Sequence, residues 1–367
     1  MDNSKIEIPL ARPDIGKDEI RAVTETMESG WVTQGKKVEQ FEKSFAQYCN
    51  VKYGIAVNSG TAALHIALTA LGIKAGDEVI TTPLSCVATT NPIVYLSARP
   101  VFADVEPVTL NIDPMLVEKK ITPRTKAILP VHLFGHPVDM DPLMETAEKH
   151  NLHVLEDAAQ AHGAKYKGKK VGSLGYVSCF SFYADKLMTT VEGGIAITND
   201  QELAEQMRLL RSFGMTRQRK FYHPVLGYNY KMSDLHAAIG LAQLRKLGDY
   251  IERKRNNISY LRSQLSHPDL KLPVELDYAY NVYYVTHIIA TENRKEKIMK
   301  HLERERIETR PLLSFIPEQP PYRQYAPQDC PVAKDAYRRG FYVSNSPQLT
   351  RQELDYMAQA LRESVNK

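Results

Sequence analysis

The feature that most constrains this chain is a regular alternation, between residues 37 and 200, of short apolar runs with amphipathic helical patterns. Residues 37–48 place Val38, Phe41, Phe45 and Tyr48 on one helical face. Apolar runs suited to strands then follow at 53–57, 78–82, 100–104, 126–131, 153–157, 178–182 and 195–198, with a helical pattern at 61–71 after the first. Strands separated by helices favour a largely parallel sheet covered on both faces, so the chain is expected to be α/β. Ligands of such sheets bind beyond the carboxyl ends of the strands, which makes strand-terminal residues the first candidates for a site. A long helical pattern at 233–265 leads out of this unit. A second, smaller α/β unit follows, with a tyrosine-rich strand at 281–290, a helix at 294–304, a strand near 307–310 and a helix after Thr350. We therefore expect a large domain over residues 1–250, including the entry segment, and a small domain over 251–367.

A chain of 367 residues with 43% hydrophobic content can bury cores of this size. Its 47 basic and 43 acidic residues give a net charge of +4, which does not mark a nucleic-acid binder. Neither a signal-peptide core nor a membrane-spanning stretch is evident, and Cys49, Cys86, Cys179 and Cys330 form neither a zinc spacing nor a secreted disulfide framework. No cluster has metal-ligand spacing. The expectation is a cytoplasmic protein without membrane or nucleic-acid partners.

Three strand ends carry chemistry. Asn58-Ser59-Gly60-Thr61-Ala62-Ala63 joins a strand to a helix, where free N–H groups, two hydroxyls and an unhindered glycine suit a phosphate, although an ordinary N-cap reads the same. The run Leu152-His153-Val154-Leu155-Glu156-Asp157 ends on an acidic pair, of which Asp157 is the candidate ring-nitrogen partner and Glu156 is expected to face solvent or a neighbouring loop. In Ser181-Phe182-Tyr183-Ala184-Asp185-Lys186 a lysine follows a strand and precedes the Glu192-Gly193-Gly194 turn, and Ser181 points to the same strand ends. A loop lysine taken alone is ordinarily solvated. A lysine, an acid and a phosphate cradle in this order, however, are what an enzyme needs to hold pyridoxal 5′-phosphate.

With those residues in view, the chain resembles the DegT/DnrJ/EryC1/StrS family of sugar aminotransferases, which have fold type I, and within it the GDP-perosamine synthase branch. The resemblance rests on Gly30-Trp31-Val32-Thr33-Gln34-Gly35, residues 58–63, 156–163 and 180–186, and Gly227-Tyr228-Asn229-Tyr230-Lys231-Met232. It implies Lys186 as the Schiff-base lysine and proton shuttle, Asp157 at the ring nitrogen and Gln160 at the 3′-oxygen side. Gly60, Thr61 and Ser181, with Ser59 beside them, would hold the phosphate. It also implies that Asn229 reaches the phosphate of a partner subunit, so that a homodimer shares its active sites. Retention of lysine rather than histidine at 186 implies transamination and not dehydration. No segment is free to supply a DNA-binding or sensor module, so a regulatory reading has no support.

Three departures from the family pattern stand out. Cys86 occupies the place of an aromatic that stacks on the cofactor, Val191 stands where glycine is usual, and Pro311-Leu312-Leu313-Ser314-Phe315-Ile316-Pro317 lacks the sugar-nucleotide histidine. Arg310 matches the pattern and suits an anionic group, and the basic run with Arg217 and Arg219 is a candidate for a diphosphate or carboxylate. His65 and His162 are read as structural. The expected substrates are a nucleotide-linked 4-keto-6-deoxyhexose and glutamate. A free sugar acid, such as an oxidised 3-deoxy-octulosonate aminated at C8, is the alternative.

Overall fold

The computed structural model describes residues 6–216, 219, 221–291, 294–325 and 329–366. Seven strands form the main sheet: β1 (Tyr53–Val57), β2 (Glu78–Thr81), β3 (Arg99–Phe102), β4 (Thr125–Leu129), β5 (His153–Asp157), β6 (Val177–Ser181) and β7 (Gly194–Thr198). Their spatial order is β1-β7-β6-β5-β4-β2-β3. Only β7 runs against its neighbours, pairing antiparallel with both β1 and β6.

Alternate residues of the same strands feed two different cores. Val79, Ala127, Leu129 and Leu155 enter one cluster, while Ile80, Ile128 and Val154 enter another on the opposite face. A side-chain period of two with both faces apolar is what a strand needs when helices cover it on both sides.

The smaller sheet contains β8 (Leu270–Lys271), β9 (Thr286–Ala290), β10 (Thr309–Pro311) and β11 (Gly340–Val343), in the order β8-β9-β11-β10. Its core gathers Ile288, Phe341 and Val343 with Ile298 and Leu302 of helix Lys295–Arg304 and Met357 and Leu361 of helix Arg351–Asn366. Helix Asp234–Gln264 passes unbroken through residue 250 and contributes Leu261 to this second core. Ile8, near the chain's start, lies in the second core too and bridges Ile307.

The tyrosine-rich strand is shorter than the sequence suggests. It begins at Thr286, because Tyr283 has φ +47° and the preceding amides bond elsewhere: Val282 N–H donates to Gly135 O (3.2 Å) and Tyr284 N–H to Phe134 O (2.9 Å). Those bonds turn the segment away from the small sheet and press it against the large one.

Candidate active site

The carboxyl ends of β1, β5 and β6 meet along one edge of the main sheet. After β1, Ser59 caps helix Gly60–Ala70, its Oγ accepting from Ala62 N–H at 3.1 Å. The N-cap reading is therefore realised, and it leaves other first-turn amides without intrahelical partners. A Cβ on Gly60 would lie 2.7 Å from Ser181 Cβ, and one on Gly194 would lie 2.3 Å from Ser59 O. The missing side chains let the start of this helix touch the end of β6. Amides and hydroxyls converge there at the positive end of a helix dipole, as a phosphate requires.

Asp157 ends β5 and is buried. Its Oδ2 accepts from Thr89 Oγ1 (2.7 Å) and its Oδ1 from Ala159 N–H (3.1 Å). Burial raises its carboxyl above the ordinary range, while Thr89, Ala159 and the charge of Lys186 pull the other way. A cationic partner would offset that burial, which is what a protonated pyridine nitrogen offers. Gln160 is also buried, and Phe134 N–H donates to its Oε1 at 2.8 Å, so its NH₂ group is free to donate.

Glu156 corrects the idea that it faces solvent, since it is fully buried on the face opposite Asp157. It does meet a neighbouring loop: its carboxylate accepts from the N–H groups of Gly172, Leu174 and Gly175 and from Ser178 Oγ. His132 Nδ1 accepts from Val138 N–H, so its Nε2 carries the proton donated to Glu156 (3.0 Å). Burial alone would raise the Glu156 carboxyl, but these donors bring it below the usual carboxylate value. One strand thus ends in a structural acid and an acid facing the site, distinguished by strand alternation.

Lys186 follows β6 with its side chain 15% exposed. Its Nζ donates to Tyr284 Oη at 3.3 Å and lies 3.7 Å from Asp185 Oδ1. Cys86 is exposed at the N-cap of helix Val87–Tyr95, in the neighbourhood of Tyr284, Tyr322 and Tyr342. Arg310 is exposed on β10 opposite Tyr342 of β11, and the charge of Asp185 reaches both. The structure thus gathers Lys186, Asp157, Cys86 and Arg310 with Tyr284, Tyr342, Thr89 and Asp185, which the sequence did not single out. The tyrosine-rich run was visible, but nothing in it told which ring would face the lysine.

Other candidates lie elsewhere. Asn229 is exposed, with its backbone bridged to Ser212. Arg219 is exposed with its guanidinium 4.9 Å from the Tyr222 ring centroid, and Arg217 lies outside the described residues. His162 is fully buried among Phe45, Phe180 and Phe182, and burial pushes it down to about 3, so it stays neutral. His65 Nδ1 meets Tyr230 Oη at 3.0 Å, as a structural histidine would. No helix among the described residues is long and apolar enough to cross a membrane.

Comparison with known proteins agrees with this geometry. The model of the DegT/DnrJ/EryC1/StrS aminotransferase family matches residues 13–362. GDP-perosamine synthase of Caulobacter vibrioides is 40% identical over 362 residues, covering 96% of this chain and 97% of that protein. The GDP-perosamine synthase of Escherichia coli O157:H7 is 38% identical over 358 residues, covering 97% and 98%. Among solved structures, DesV of S. venezuelae superposes with a TM-score of 0.90 at 35% identity, covering 95% of this chain and 94% of that one. The lysine, the buried acid and the close-packed cradle fit one cofactor, and with the family match across nearly the whole chain they identify it as a pyridoxal-phosphate-dependent aminotransferase of the DegT/DnrJ/EryC1/StrS family.

Proposed function

We propose that the enzyme moves the amino group of glutamate onto the carbonyl of a nucleotide-linked 4-keto-6-deoxyhexose, in the making of a cell-surface polysaccharide. The observation that carries the reading is that Lys186, in the loop after β6, lies near enough to the buried Asp157 at the end of neighbouring β5 for the lysine's charge to act on the acid. The similarity to two proteins named GDP-perosamine synthase supports the acceptor class.

When bound, pyridoxal phosphate supplies an electron sink for the pair left behind as a C–H bond next to nitrogen breaks. In our reading Asp157 keeps the ring nitrogen protonated, and Thr89 and Ala159 N–H fix its carboxylate for that task. Ser59, Gly60, Thr61 and Ser181 bind the phosphate, and the free NH₂ of Gln160 donates to the ring's 3′-oxygen. Cys86 packs against the ring where a larger aromatic would stack, a contact its polarisable sulfur suits. Lys186 would hold the cofactor covalently, and its free amine would take the proton from the donor's Cα. Asn229 reaches the phosphate of a partner subunit in a homodimer. Arg310 meets an anionic part of the acceptor, with Arg217 and Arg219 available for a diphosphate.

A free sugar acid is the second reading. It is favoured by the segment after Arg310, where buried Ile316 and Pro317 stand and no histidine is present. Purified enzyme, glutamate and a panel of keto sugars separate the two by 2-oxoglutarate release. Turnover confined to sugar acids would overturn the nucleotide-sugar reading. Borohydride reduction of the loaded protein, followed by digestion, tests the lysine: the cofactor should remain on the peptide containing Lys186, and its recovery on another lysine would refute the assignment.

A further inference from the structure

Two acceptors face the Lys186 amine, and one oxygen of the second has no hydrogen-bond donor among the described residues. Tyr284 is 8% exposed, its hydroxyl lies 3.3 Å from Nζ, and Nζ stands 4.6 Å from the ring centroid. Asp185 Oδ1 lies 3.7 Å from the same nitrogen and is buried without a hydrogen-bond partner among the described residues. A buried acceptor left without a donor is costly and ordinarily signals a partner still to come.

The backbone holds Tyr284 in place from several directions. Its N–H donates to Phe134 O, and its carbonyl accepts from the buried Lys254 Nζ at 3.0 Å, which also donates to Asn345 O at 2.6 Å. Tyr283 adopts φ +47° just before it. This fixed backbone, strained at one residue, delivers a phenol to a lysine in another part of the fold. Burial first, then the Asp185 charge and a hydrogen bond to that carboxylate, hold the phenol well above its usual value, so the hydroxyl stays protonated.

Building on the assignment of Lys186 as the reacting lysine, we propose that Tyr284 is a further catalytic residue and Asp185 its positioning partner, together forming the cradle that receives the Lys186 ammonium during proton transfer. The Cα–H bond of the donor breaks, its electron pair stays with the cofactor-bound substrate, and the proton arrives on the Nζ lone pair. The new ammonium then donates to Tyr284 Oη and turns a second N–H toward Asp185 Oδ1, supplying the missing donor. Once Nζ passes the same proton on, lysine, phenol and carboxylate would all return to their starting states. Oη meets the reacting nitrogen itself, whereas Asp185 acts through the charge it sets beside both groups.

The test uses Tyr284→Phe, which keeps the ring packing and removes only the hydroxyl, together with Asp185→Asn. In the loaded enzyme Tyr284→Phe should lower kcat about tenfold or more, within the range that proton-transfer groups contribute. Both substrate KM values should stay within about twofold, and the isotope effect with a Cα-deuterated donor should rise. A second readout needs no turnover. In cofactor-free protein, acylation of Lys186 at pH 8, followed by mass spectrometry of its peptide, should run about threefold faster or more in both variants, because each loses an acceptor that favours the charged amine. Normal turnover in Tyr284→Phe overturns the proposal, as does a fall in kcat with unchanged labelling and isotope effect. Failure of the underlying assignment would instead appear as borohydride-fixed cofactor on a different lysine.

Discussion

At the scale of single residues, neighbouring carboxylates at one strand end have opposite electrostatic fates. Glu156 meets donors from residues 132, 172, 174, 175 and 178 and is held ionised, while Asp157 receives two hydrogen bonds and is pushed toward its neutral form by burial. The sequence showed both acids at a strand terminus and a period of two, which was enough to find Asp157. It could not show that Glu156 is buried, because its donors are scattered over almost fifty residues and meet only in the fold. A prediction follows from the sign of the Asp157 shift. Its folded value lies above the unfolded one, so its contribution to stability is greatest below about 3.9 and is lost as pH rises through the folded value. Asp157→Asn removes that loss. The variant should melt at a higher temperature than wild type in the cofactor-free state at pH 8, with a smaller gain at pH 4. The same change should cut kcat by about a hundredfold or more, since a neutral amide cannot hold the ring nitrogen protonated. Melts of both proteins at the two pH values check it, and a variant less stable at both would refute the reading of the acid.

At the scale of elements, the strands and helices of the large sheet were legible because each strand is a compact apolar run between helical patterns. The start of the tyrosine-rich strand was not, since its course depends on carbonyls of Phe134 and Gly135 in a distant loop. The loop carrying Lys186 shows how a departure from pattern becomes a physical statement. Val191, placed where glycine is usual, has φ +72° and a half-exposed side chain. The left-handed region costs a non-glycine residue roughly 1–2 kcal/mol, and a β-branched one suffers most. Part of that penalty is offset because valine is less free than glycine in the unfolded chain. Val191→Gly should therefore stabilise the protein by about 1 kcal/mol, read as a shift in the denaturation midpoint at unchanged slope. Destabilisation would mean that packing of the valine outweighs its backbone strain. Gly60 shows the converse: its closeness to Ser181 is sterically required, and the sequence alone could not tell this from an ordinary helix start.

At the scale of the whole molecule, one chain brings together the lysine, the acid and the proposed phosphate cradle, yet leaves Asn229 exposed in a segment that also exposes large apolar side chains. Phe221 is 87% exposed and Leu226 89%, and Tyr228 and Tyr230, which flank Asn229 in sequence, stack with centroids 5.0 Å apart. Exposed apolar side chains of this kind mark interaction surfaces, and in the proposed homodimer a second copy of the chain would cover them while carrying Asn229 toward the partner's cradle. Sequence alone could name Asn229 only through the family resemblance, because the task proposed for it depends on a neighbour that no reading of one chain contains. The proposed shared site has a quantitative consequence. Lys186→Ala and Asn229→Ala should each be nearly inactive as homodimers. In a mixed dimer, one site combines both lesions and the other combines the intact Lys186 of one chain with the intact Asn229 of the other. Random exchange of equal amounts makes half the dimers mixed, each with one sound site of two, so activity should return to about a quarter of wild type. Exchange is verified independently by mass spectrometry of differently tagged subunits. Proven exchange without recovery would place Asn229 and Lys186 in the same subunit's site, whereas recovery toward a quarter is the signature of an active site divided between two chains.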